Sequence, residues 1–533
     1  MLATTYSALL SGLEAIKVTI EIALTPGLPT LQIVGLPSQT IAESKERITA
    51  AIAIAGIKAK AQRTVVNLAP ADVHKNSSAF ELPITAGLLH LYGVIPPISA
   101  TTLLFGELSL TGDLQPLTGA LPLILGAKKL GFTTVMLPAA NQLEASLVRG
   151  ITCIPIGNLK EFIAHQQATA VISPSKYQSS TNLELLSTQS EVIEKSSTFN
   201  EIVGQDAAKK VLEIAAAGGH NVLLQGPPGT GKSMLAESFA HLLPPLTEEE
   251  TVEVYSLHSI AGKIAETGIE PTGKLSTRRP FRRIHHTISQ VGLIGGGTKL
   301  TPGEISLAHR GVLFMDELPE FPRHVLESLR QPLEAKSITI SRASGTIQYP
   351  ANFILIAAAN PCPCGYKGSE KKPCTCSEFH QQQYTHKISG PLLDRIDITS
   401  WVGEVRIATL GQQMHKNNDY ESIEHSTVHS TLLNAKKRIA AAREIQKLRF
   451  KGYSRLHTNA DMTPQDIARF CRLEPNARHL LIRTAEKYNF SPRKYFRMLK
   501  VAQTLADLDT SPVITKYQVS NLLQTYIEEN NLR

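Results

Sequence analysis

The chain has 533 residues and a net charge of +8, with 42% hydrophobic and 5% aromatic residues. At roughly 100–200 residues per domain, this length predicts about three globular domains, and the composition excludes a fibrous or disordered chain. No apolar run reaches the roughly 18 residues of a membrane span, and the N-terminus has no signal-peptide pattern. The sequence therefore predicts a cytoplasmic protein with no membrane association.

The positive charge is concentrated in one part of the chain. Residues 1–195 contain 13 Lys and Arg and 13 Asp and Glu, whereas residues 431–500 contain 17 and 5. A basic local surface suits a polyanion. The alternative is a solvated helix face, and charge alone does not separate the two interpretations.

The first domain is predicted over residues 1–165, where β-like runs alternate with helix-like stretches. The predicted strands are 18–23, 30–34, 64–68 and 133–137, and the predicted helices are 38–55, 82–91 and 121–130. This alternation indicates an α/β or α+β domain. Residues 166–198 are rich in Ser, Thr and Gln, which is typical of a linker, with one short helix predicted around 183–186.

A phosphate-binding loop is predicted after the linker, in a segment of βαβ pattern over residues 199–405. An apolar strand at 221–225 leads into GxxxxGK followed by Ser, and a helix follows. In this pattern backbone N–H groups surround phosphate, Lys232 reaches the β- and γ-phosphates, and the Ser233 hydroxyl binds Mg²⁺. The predicted nucleotide contacts are Gly226, Pro227, Pro228, Gly229, Thr230, Gly231, Lys232 and Ser233.

Two further apolar strands end in polar residues suited to ATP hydrolysis. Asp316 and Glu317 follow the strand at 311–315, and Asn360 follows the strand at 353–359. Asp316 is expected at the Mg²⁺, Glu317 is expected to polarise the attacking water, and Asn360 is expected to hold that water against the γ-phosphate. The order and spacing of these motifs indicate an ATPase of the AAA+ class.

Four cysteines fall within 15 positions, in a loop over 362–376. Cys362, Cys364, Cys374 and Cys376 form two CxC pairs, and four thiolates in one short loop can close a tetrahedral zinc site. We predict zinc, and free or redox-active thiols are the alternative. Cys153 and Cys471 are expected to be buried, unreactive thiols.

Three basic elements are candidates for binding DNA phosphates without reading sequence. The first lies between the phosphate-binding loop and Asp316, the second is a predicted β-hairpin over 337–349, and the third is the basic segment 431–500. The candidate contacts are Lys274, Arg278, Arg279, Arg282, Lys336 and Arg342. Alternatively, Arg279 and Arg282 contact nucleotide or neighbouring subunits.

Several long motifs resemble the magnesium-chelatase-like AAA+ proteins and, among these, the ComM (YifB) family. They are residues 226–233, RRPFRRIHHT (278–287), GGGTKLTPGEISLAHRGVLFMDELPEF (295–321), LIAAANPCPCGY (355–366) and GPLLDRIDI (390–398). The resemblance implies an AAA+ core with a parallel sheet over 199–405 and a helical lid over 406–533. It also implies an arginine finger at Arg395, acting on a neighbouring subunit, and a sensor arginine at Arg493. Surface ion pairs are the alternative for both arginines.

The first domain resembles the proteolytic domain of Lon proteases over residues 106–138. That domain uses a Ser–Lys dyad. The position of the lysine falls here at Leu121 or Pro122, and Ser77 and Ser78 in the corresponding loop have no evident lysine partner. The resemblance therefore implies a Lon-like α+β domain without protease activity.

Together, these features predict an ATP-driven homo-oligomeric ring, a hexamer, that uses ATP and Mg²⁺ to act on single-stranded or branched DNA. From the family resemblance the expected activity is helicase-type branch migration in natural transformation and recombination. The alternatives are a metal-chelatase motor subunit, an ATP-dependent protease and an ATP-gated scaffold.

Overall fold

The computed structural model describes the chain except residues 36–38, 72–77, 176–198, 200–201, 268–275, 298–299, 343–344, 370, 406–423 and 532–533. The chain forms two compact units. The first comprises residues 1–183 and 248–276, and the second comprises residues 184–247 and 277–533. The helix predicted at 183–186 lies outside the described residues, as do Ser77 and Lys274. No described helix combines the length and apolar character needed to cross a membrane.

The strands are β1 (Leu2–Ser11), β2 (Glu14–Thr25), β3 (Thr30–Val34), β4 (Arg63–Ala69), β5 (Thr102–Leu104), β6 (Glu107–Leu108), β7 (Leu114–Gln115), β8 (Thr134–Pro138), β9 (Thr152–Ile156), β10 (Val222–Gln225), β11 (Phe281–Ile284), β12 (Gly295–Gly296), β13 (Thr301–Pro302), β14 (Val312–Met315), β15 (Ser337–Arg342), β16 (Gly345–Pro350), β17 (Ile354–Ala359) and β18 (Ile398–Trp401).

The α-helices are α1 (Gln39–Ile54), α2 (Glu81–Leu91), α3 (Ala120–Lys129), α4 (Gln142–Ala145), α5 (Leu159–Gln166), α6 (Asp206–Gly218), α7 (Lys232–Ala240), α8 (Glu248–Ile260), α9 (Gln290–Ile294), α10 (Glu304–Leu307), α11 (Arg323–Ser328), α12 (Arg330–Ala335), α13 (Glu378–His386), α14 (Gly390–Leu393), α15 (Glu424–Arg449), α16 (Pro464–Phe470), α17 (Pro475–Lys487), α18 (Pro492–Leu508) and α19 (Lys516–Asn531).

The first unit contains two main sheets. One has the order β1-β2-β4-β3, and the other is a parallel sheet of order β5-β8-β9. Strand β2 buries Val18, Ile20 and Ile22 at alternate positions, as a half-buried strand requires. The strands and helices predicted for this region are confirmed. The sequence analysis did not identify strands β1, β5, β6, β7 and β9 or helices α4 and α5. Helix α8 also belongs to this unit, although its sequence follows the phosphate-binding loop.

The second unit is built on a five-stranded sheet of order β11-β14-β17-β10-β18, in which every pairing is parallel. Alternate residues of β10, Val222 and Leu224, pack into a core with α6, α7 and α15. The helical C-terminal region is confirmed, as is the hairpin, which β15 and β16 form as an antiparallel pair. Because all five strands run the same way, their carboxyl ends meet at one edge of the sheet and their amino ends at the other.

Candidate nucleotide-binding site

The phosphate-binding loop connects the carboxyl end of β10 to the first residue of α7. Gly231 has a φ of 88°, in the left-handed region that glycine adopts without steric cost. Gly226 cannot be replaced by a residue with a side chain, because a Cβ there would lie 2.1 Å from the carbonyl oxygen of Val402. The sequence therefore folds this loop tightly against the start of the segment after β18.

Lys232 lies inside this loop with its ammonium on neutral oxygens. Its Nζ donates to the carbonyls of Gly226 (2.8 Å) and Pro227 (2.7 Å) and to Oδ1 of Asn360 (3.2 Å). Burial lowers the pKa of Lys232 to about 8, against the opposing effect of the Asp316 and Glu317 carboxylates. The site thus holds a buried amine next to Asn360, an arrangement suited to a phosphate.

Ser233 and Asp316 provide a set of oxygen atoms beside this amine. The Ser233 hydroxyl donates to Oδ2 of Asp316 at 2.8 Å. Hydroxyl and carboxylate oxygens are the ligands that Mg²⁺ prefers, so these two residues could hold the ion. Glu317 follows Asp316 with a φ of 52°, and this left-handed backbone conformation is uncommon for a residue other than glycine.

Two residues at this edge were not assigned to the nucleotide site by the sequence analysis. Arg283 donates to Asp316 at 3.1 Å, and Nδ1 of His286 lies 3.7 Å from Oε2 of Glu317. Both belong to the cluster that the sequence analysis considered for DNA. They reach this edge because β11 pairs parallel with β14. The four-residue strand Phe281–Ile284 contains two arginines, and no apolar run marks it as a sheet strand.

Arg395 and Arg493 do not join these residues. Both line a cleft of about 760 Å³ in the second unit. The cleft also contains Asn221, Asn352 and Asp397, each of which precedes a strand of the parallel sheet. The two arginines therefore lie at the amino edge of the sheet, whereas Lys232, Asp316 and Asn360 lie at the carboxyl edge.

The cleft has a surplus of cations over its four carboxylates, Glu334, Asp394, Asp397 and Asp461. Its Lys and Arg side chains are Arg310, Lys336, Arg395, Arg455, Arg493, Arg497 and Lys500. Arg395 pairs with Glu334, and Arg497 donates to the carbonyls of Leu393 (3.0 Å) and Ile396, which flank Arg395 in the chain. Arg497 therefore supports the segment that carries Arg395, and Arg493 is exposed at the start of α18.

The four loop cysteines converge on one point. Their Sγ atoms all lie within 4.8 Å of one another, with Cys362–Cys364 at 3.4 Å, Cys364–Cys374 at 3.5 Å and Cys362–Cys374 at 3.6 Å. These separations are far longer than the 2.05 Å of a disulfide, and all six cysteines of the chain are free. Burial raises the pKa of Cys153 to about 11 and that of Cys471 to about 12, as expected for unreactive thiols.

The candidate DNA contacts are dispersed. Arg279 donates to the carbonyls of Pro244 and Arg310, both at 2.7 Å, and Arg282 forms a bidentate pair with Glu304 at 2.6 and 2.9 Å. Arg278 and Arg342 are exposed. Lys336 begins the hairpin and Arg342 ends its first strand, roughly 20 Å away at about 3.4 Å per residue; Lys336 lies in the cationic cleft with Arg395.

In the first unit, neither residue at the position of the protease lysine has a side chain that can act as a base. Leu121 and Pro122 are buried in the first turn of α3, and the Leu121 N–H donates to Glu144 at 2.9 Å. Ser78 begins a short 3₁₀ turn directly before α2.

This geometry defines the class of protein: a parallel sheet with a phosphate-binding loop, Asp316 and Asn360 at its carboxyl edge, joined to a helical C-terminal region, is an AAA+ ATPase core. Family models give the same assignment along the chain. Residues 198–410 match "Magnesium chelatase, subunit ChlI", residues 20–141 match "Subunit ChlI of Mg-chelatase", and residues 430–525 match "Magnesium chelatase, subunit ChlI C-terminal".

Full-length relatives refine this assignment. The chain is 37% identical over 512 residues to competence protein ComM of Haemophilus influenzae, covering 95% of this chain and 94% of that protein. It is 36% identical over 510 residues to YifB of Escherichia coli, covering 95% and 93%. A magnesium-chelatase 67 kDa subunit of Heliobacterium mobile is 30% identical but matches only 31% of this chain and 28% of its own length. The chain belongs to the ComM (YifB) family of magnesium-chelatase-like AAA+ proteins, a family whose members carry an ATPase core.

Proposed function

We propose that the protein is an ATP-driven motor that assembles as a homo-oligomeric ring, a hexamer, and remodels DNA in the cytoplasm. The observation that carries the proposal is the separation of its catalytic groups between the two edges of one sheet. The relative from Haemophilus influenzae is named a competence protein, which agrees with a role in handling imported DNA.

ATP with Mg²⁺ is the expected substrate, and the bound ion neutralises charge on the phosphates. Ser233 and Asp316 would hold that ion, and the Lys232 ammonium would move from the carbonyls of Gly226 and Pro227 to the phosphate oxygens. Glu317 then orients and polarises the attacking water, while Asn360 holds the same water. The loop residues 226–233 supply backbone N–H groups to the phosphates.

We propose that Arg395 acts on the nucleotide of a second copy. It precedes β18, whereas Lys232 follows the neighbouring strand β10, and the four residues of β10 separate the two edges by roughly 13 Å. An arginine finger must reach the γ-phosphate directly. The amino edge of one subunit would therefore complete the site at the carboxyl edge of the next, and Arg493, in the same cleft, would act from the same side.

The candidate DNA-binding cations differ in their contacts within the protein and in their exposure. Arg279 and Arg282 already bind groups of their own unit, and Lys336 lies in the cleft. Arg342 at the hairpin and Arg278 are exposed, and the C-terminal helices carry the surplus of positive charge. We propose that these exposed cations track phosphates, so that binding weakens with salt and does not depend on sequence.

The proposal also includes a zinc ion bound by the cysteine loop. Zinc bonds to thiolate sulfur are about 2.3 Å long, so the sulfurs of a tetrahedral Cys₄ site lie about 3.8 Å apart. The observed pairs at 3.4, 3.5 and 3.6 Å approach that spacing. The four thiols therefore fit zinc.

The test is ATP-dependent remodelling of forked and four-stranded DNA by the full chain. The wild type should hydrolyse ATP and convert these substrates, Lys232→Ala should do neither, and Glu317→Gln should bind ATP without converting DNA. An exposed-lysine variant, Lys371→Ala, is the matched control. A wild type that hydrolyses ATP as an assembled ring but neither binds nor remodels DNA contradicts the proposal.

A further inference from the structure

The cysteine loop touches the nucleotide site directly. It begins two residues after Asn360, and its turn at Gly365 has a φ of 84°. A Cβ at Gly365 would lie 2.8 Å from Cδ of Pro228 in the phosphate-binding loop and 4.0 Å from Cγ of Asn360. The turn therefore lies next to both Pro228 of the phosphate-binding loop and Asn360.

The cysteines determine the shape of this turn. The Gly365 N–H donates to the carbonyl of Cys362 at 2.9 Å, and the Cys364 N–H donates to Sγ of Cys376 at 3.4 Å. Gln381 on α13 donates to Sγ of Cys374 at 3.5 Å and to the carbonyl of Cys376 at 3.0 Å. An ion on the four sulfurs would thus tie the Gly365 turn to the second CxC pair and to α13.

The middle of the loop is attached separately to the end of the sheet. The Ser369 hydroxyl donates to Glu404 at 2.9 Å, and a Cβ at Gly368 would lie 3.1 Å from the ring of Trp401, the last residue of β18. These contacts do not involve sulfur. Loss of the metal would therefore release the Gly365 turn while leaving the loop tethered at Ser369.

We propose that a zinc ion on Cys362, Cys364, Cys374 and Cys376 holds Gly365 against Pro228 and Asn360 and so positions Asn360 for ATP hydrolysis. The inference rests on the proposed ATPase function and makes the cysteine loop a positioning element of that reaction. Lys232 also contacts the carbonyls of Gly226 and Pro227, and Ser233 contacts Asp316, without involving the cysteine loop, so ATP binding should depend on the ion less than hydrolysis does.

The first arm of the test removes the metal. Metal content, kcat, KM and nucleotide affinity are measured on the untagged full chain and on the double variant Cys374→Ser, Cys376→Ser. The wild type should contain about one zinc per chain. The double variant should lose it, with kcat falling about tenfold or more because small displacements of positioned groups are costly, while KM and nucleotide affinity stay within about twofold.

The second arm keeps the metal and disturbs the contact. Gly365→Ala leaves all four thiols in place but forces a methyl group towards Pro228, so zinc should stay at one per chain while kcat falls several-fold. Lys371→Ala, in the same loop, should match the wild type in every measurement. Because Gly365→Ala retains the metal, it decides the question if the double variant fails to fold.

A wild type that hydrolyses ATP with far less than one metal ion per chain would overturn the inference. So would a metal-free variant, or Gly365→Ala, with wild-type kcat. Chelation of the wild type should lower kcat about tenfold or more, and added Zn²⁺ should restore it. If the wild type binds zinc and nucleotide but never hydrolyses ATP, the proposed function fails, and this outcome differs from a chain that hydrolyses ATP without metal.

Discussion

Glu81 in the first unit and Lys232 in the second are both charged and almost fully buried, with 1% and 9% of their surface exposed. Glu81 accepts from the Ser44 hydroxyl (2.6 Å), the Leu108 N–H (2.7 Å) and the Arg47 guanidinium, and this hydrogen bond raises the pKa of Arg47. Lys232 contacts only neutral oxygens of the described residues, and burial lowers its pKa.

A buried charge such as Glu81, which has an ionic partner, stabilises the fold. A buried charge such as Lys232, which contacts neutral oxygens, is suited to binding a ligand. A buried ion that pairs with an opposite charge has its interactions satisfied within the fold, and removing its partner destabilises the protein. An uncompensated amine on carbonyls gains more from a polyanion than from its present contacts. Glu144 in the first unit is intermediate, since it accepts from the Leu121 N–H at 2.9 Å, from Asn141 at 2.8 Å and from the Ser259 hydroxyl, all of them neutral donors.

Arg395 is the residue that could break this comparison, because it is paired with Glu334 and yet is proposed to act in catalysis. Glu334 is 58% exposed, so the pair is weak. Arg395→Ala should lower kcat about 10³-fold or more at unchanged nucleotide affinity. ATPase assays on mixtures of Arg395→Ala and Lys232→Ala subunits should recover activity if the arginine acts between subunits. Glu334→Gln is the control and should leave kcat within about twofold; an inactive Glu334→Gln contradicts the assignment.

Glu317 extends the comparison to an exposed charge, because its carboxylate takes no part in a buried ion pair. Glu317→Gln should lower kcat by about 10²–10⁴-fold, because the amide cannot take up the proton of the attacking water. Nucleotide affinity, measured with a fluorescent ATP analogue, should be unchanged. Glu320→Gln, an exposed acid three residues away that pairs with Lys387 at 3.5 Å, should behave as the wild type. A Glu317→Gln variant with wild-type kcat would show that another residue acts as the base.

Glu81 should show the opposite pattern. Glu81→Ala leaves the Arg47 guanidinium and the Leu108 N–H without their acceptor, so the first unit should lose about 3 kcal/mol of unfolding free energy. Calorimetry of the full chain would register this as a lower transition temperature for that unit. The kcat of the folded protein at 20 °C should not change. A loss of activity without a loss of stability would place Glu81 in the functional machinery.

Glu144 gives the smallest effect and a defined pH dependence. Burial raises its pKa above the ordinary 4.5, so the folded protein holds this proton to a higher pH than the unfolded chain does. Its stability contribution is therefore complete below pH 4.5 and declines as pH rises through the folded-state pKa. Glu144→Gln cannot ionise, so the stability of the wild type relative to this variant should fall over that window, as denaturant titrations at several pH values would measure. A constant difference contradicts the shift.

The sequence predicted those elements whose local pattern is strong. The apolar strands before Lys232, Asp316 and Asn360 were predicted because each is a continuous buried run, and parallel strands then bring their ends together. Strand β11 was missed because its two arginines leave no apolar run, so Arg283 and His286 were not assigned to the nucleotide edge. The position of Arg395 at the other edge follows from the parallel pairing of β18 with β10, and that of Arg493 from the packing of α18 beside the same cleft; local pattern encodes neither. The roles of these residues stay predictions.

Helix α8 has a consequence for how the chain can be divided. Its Tyr255 lies in a core with Leu121 and Ile124 of the first unit, so residues 248–276 cannot remain with an ATPase fragment without exposing that surface. Removing residues 1–165 should therefore yield an aggregation-prone product, whereas two fragments cut within 176–198 together still supply all residues of this core and should reassemble when co-expressed. The polypeptide passes between its two units again at 247 and 277, and this threading makes the first unit an integral part of the ATPase chain.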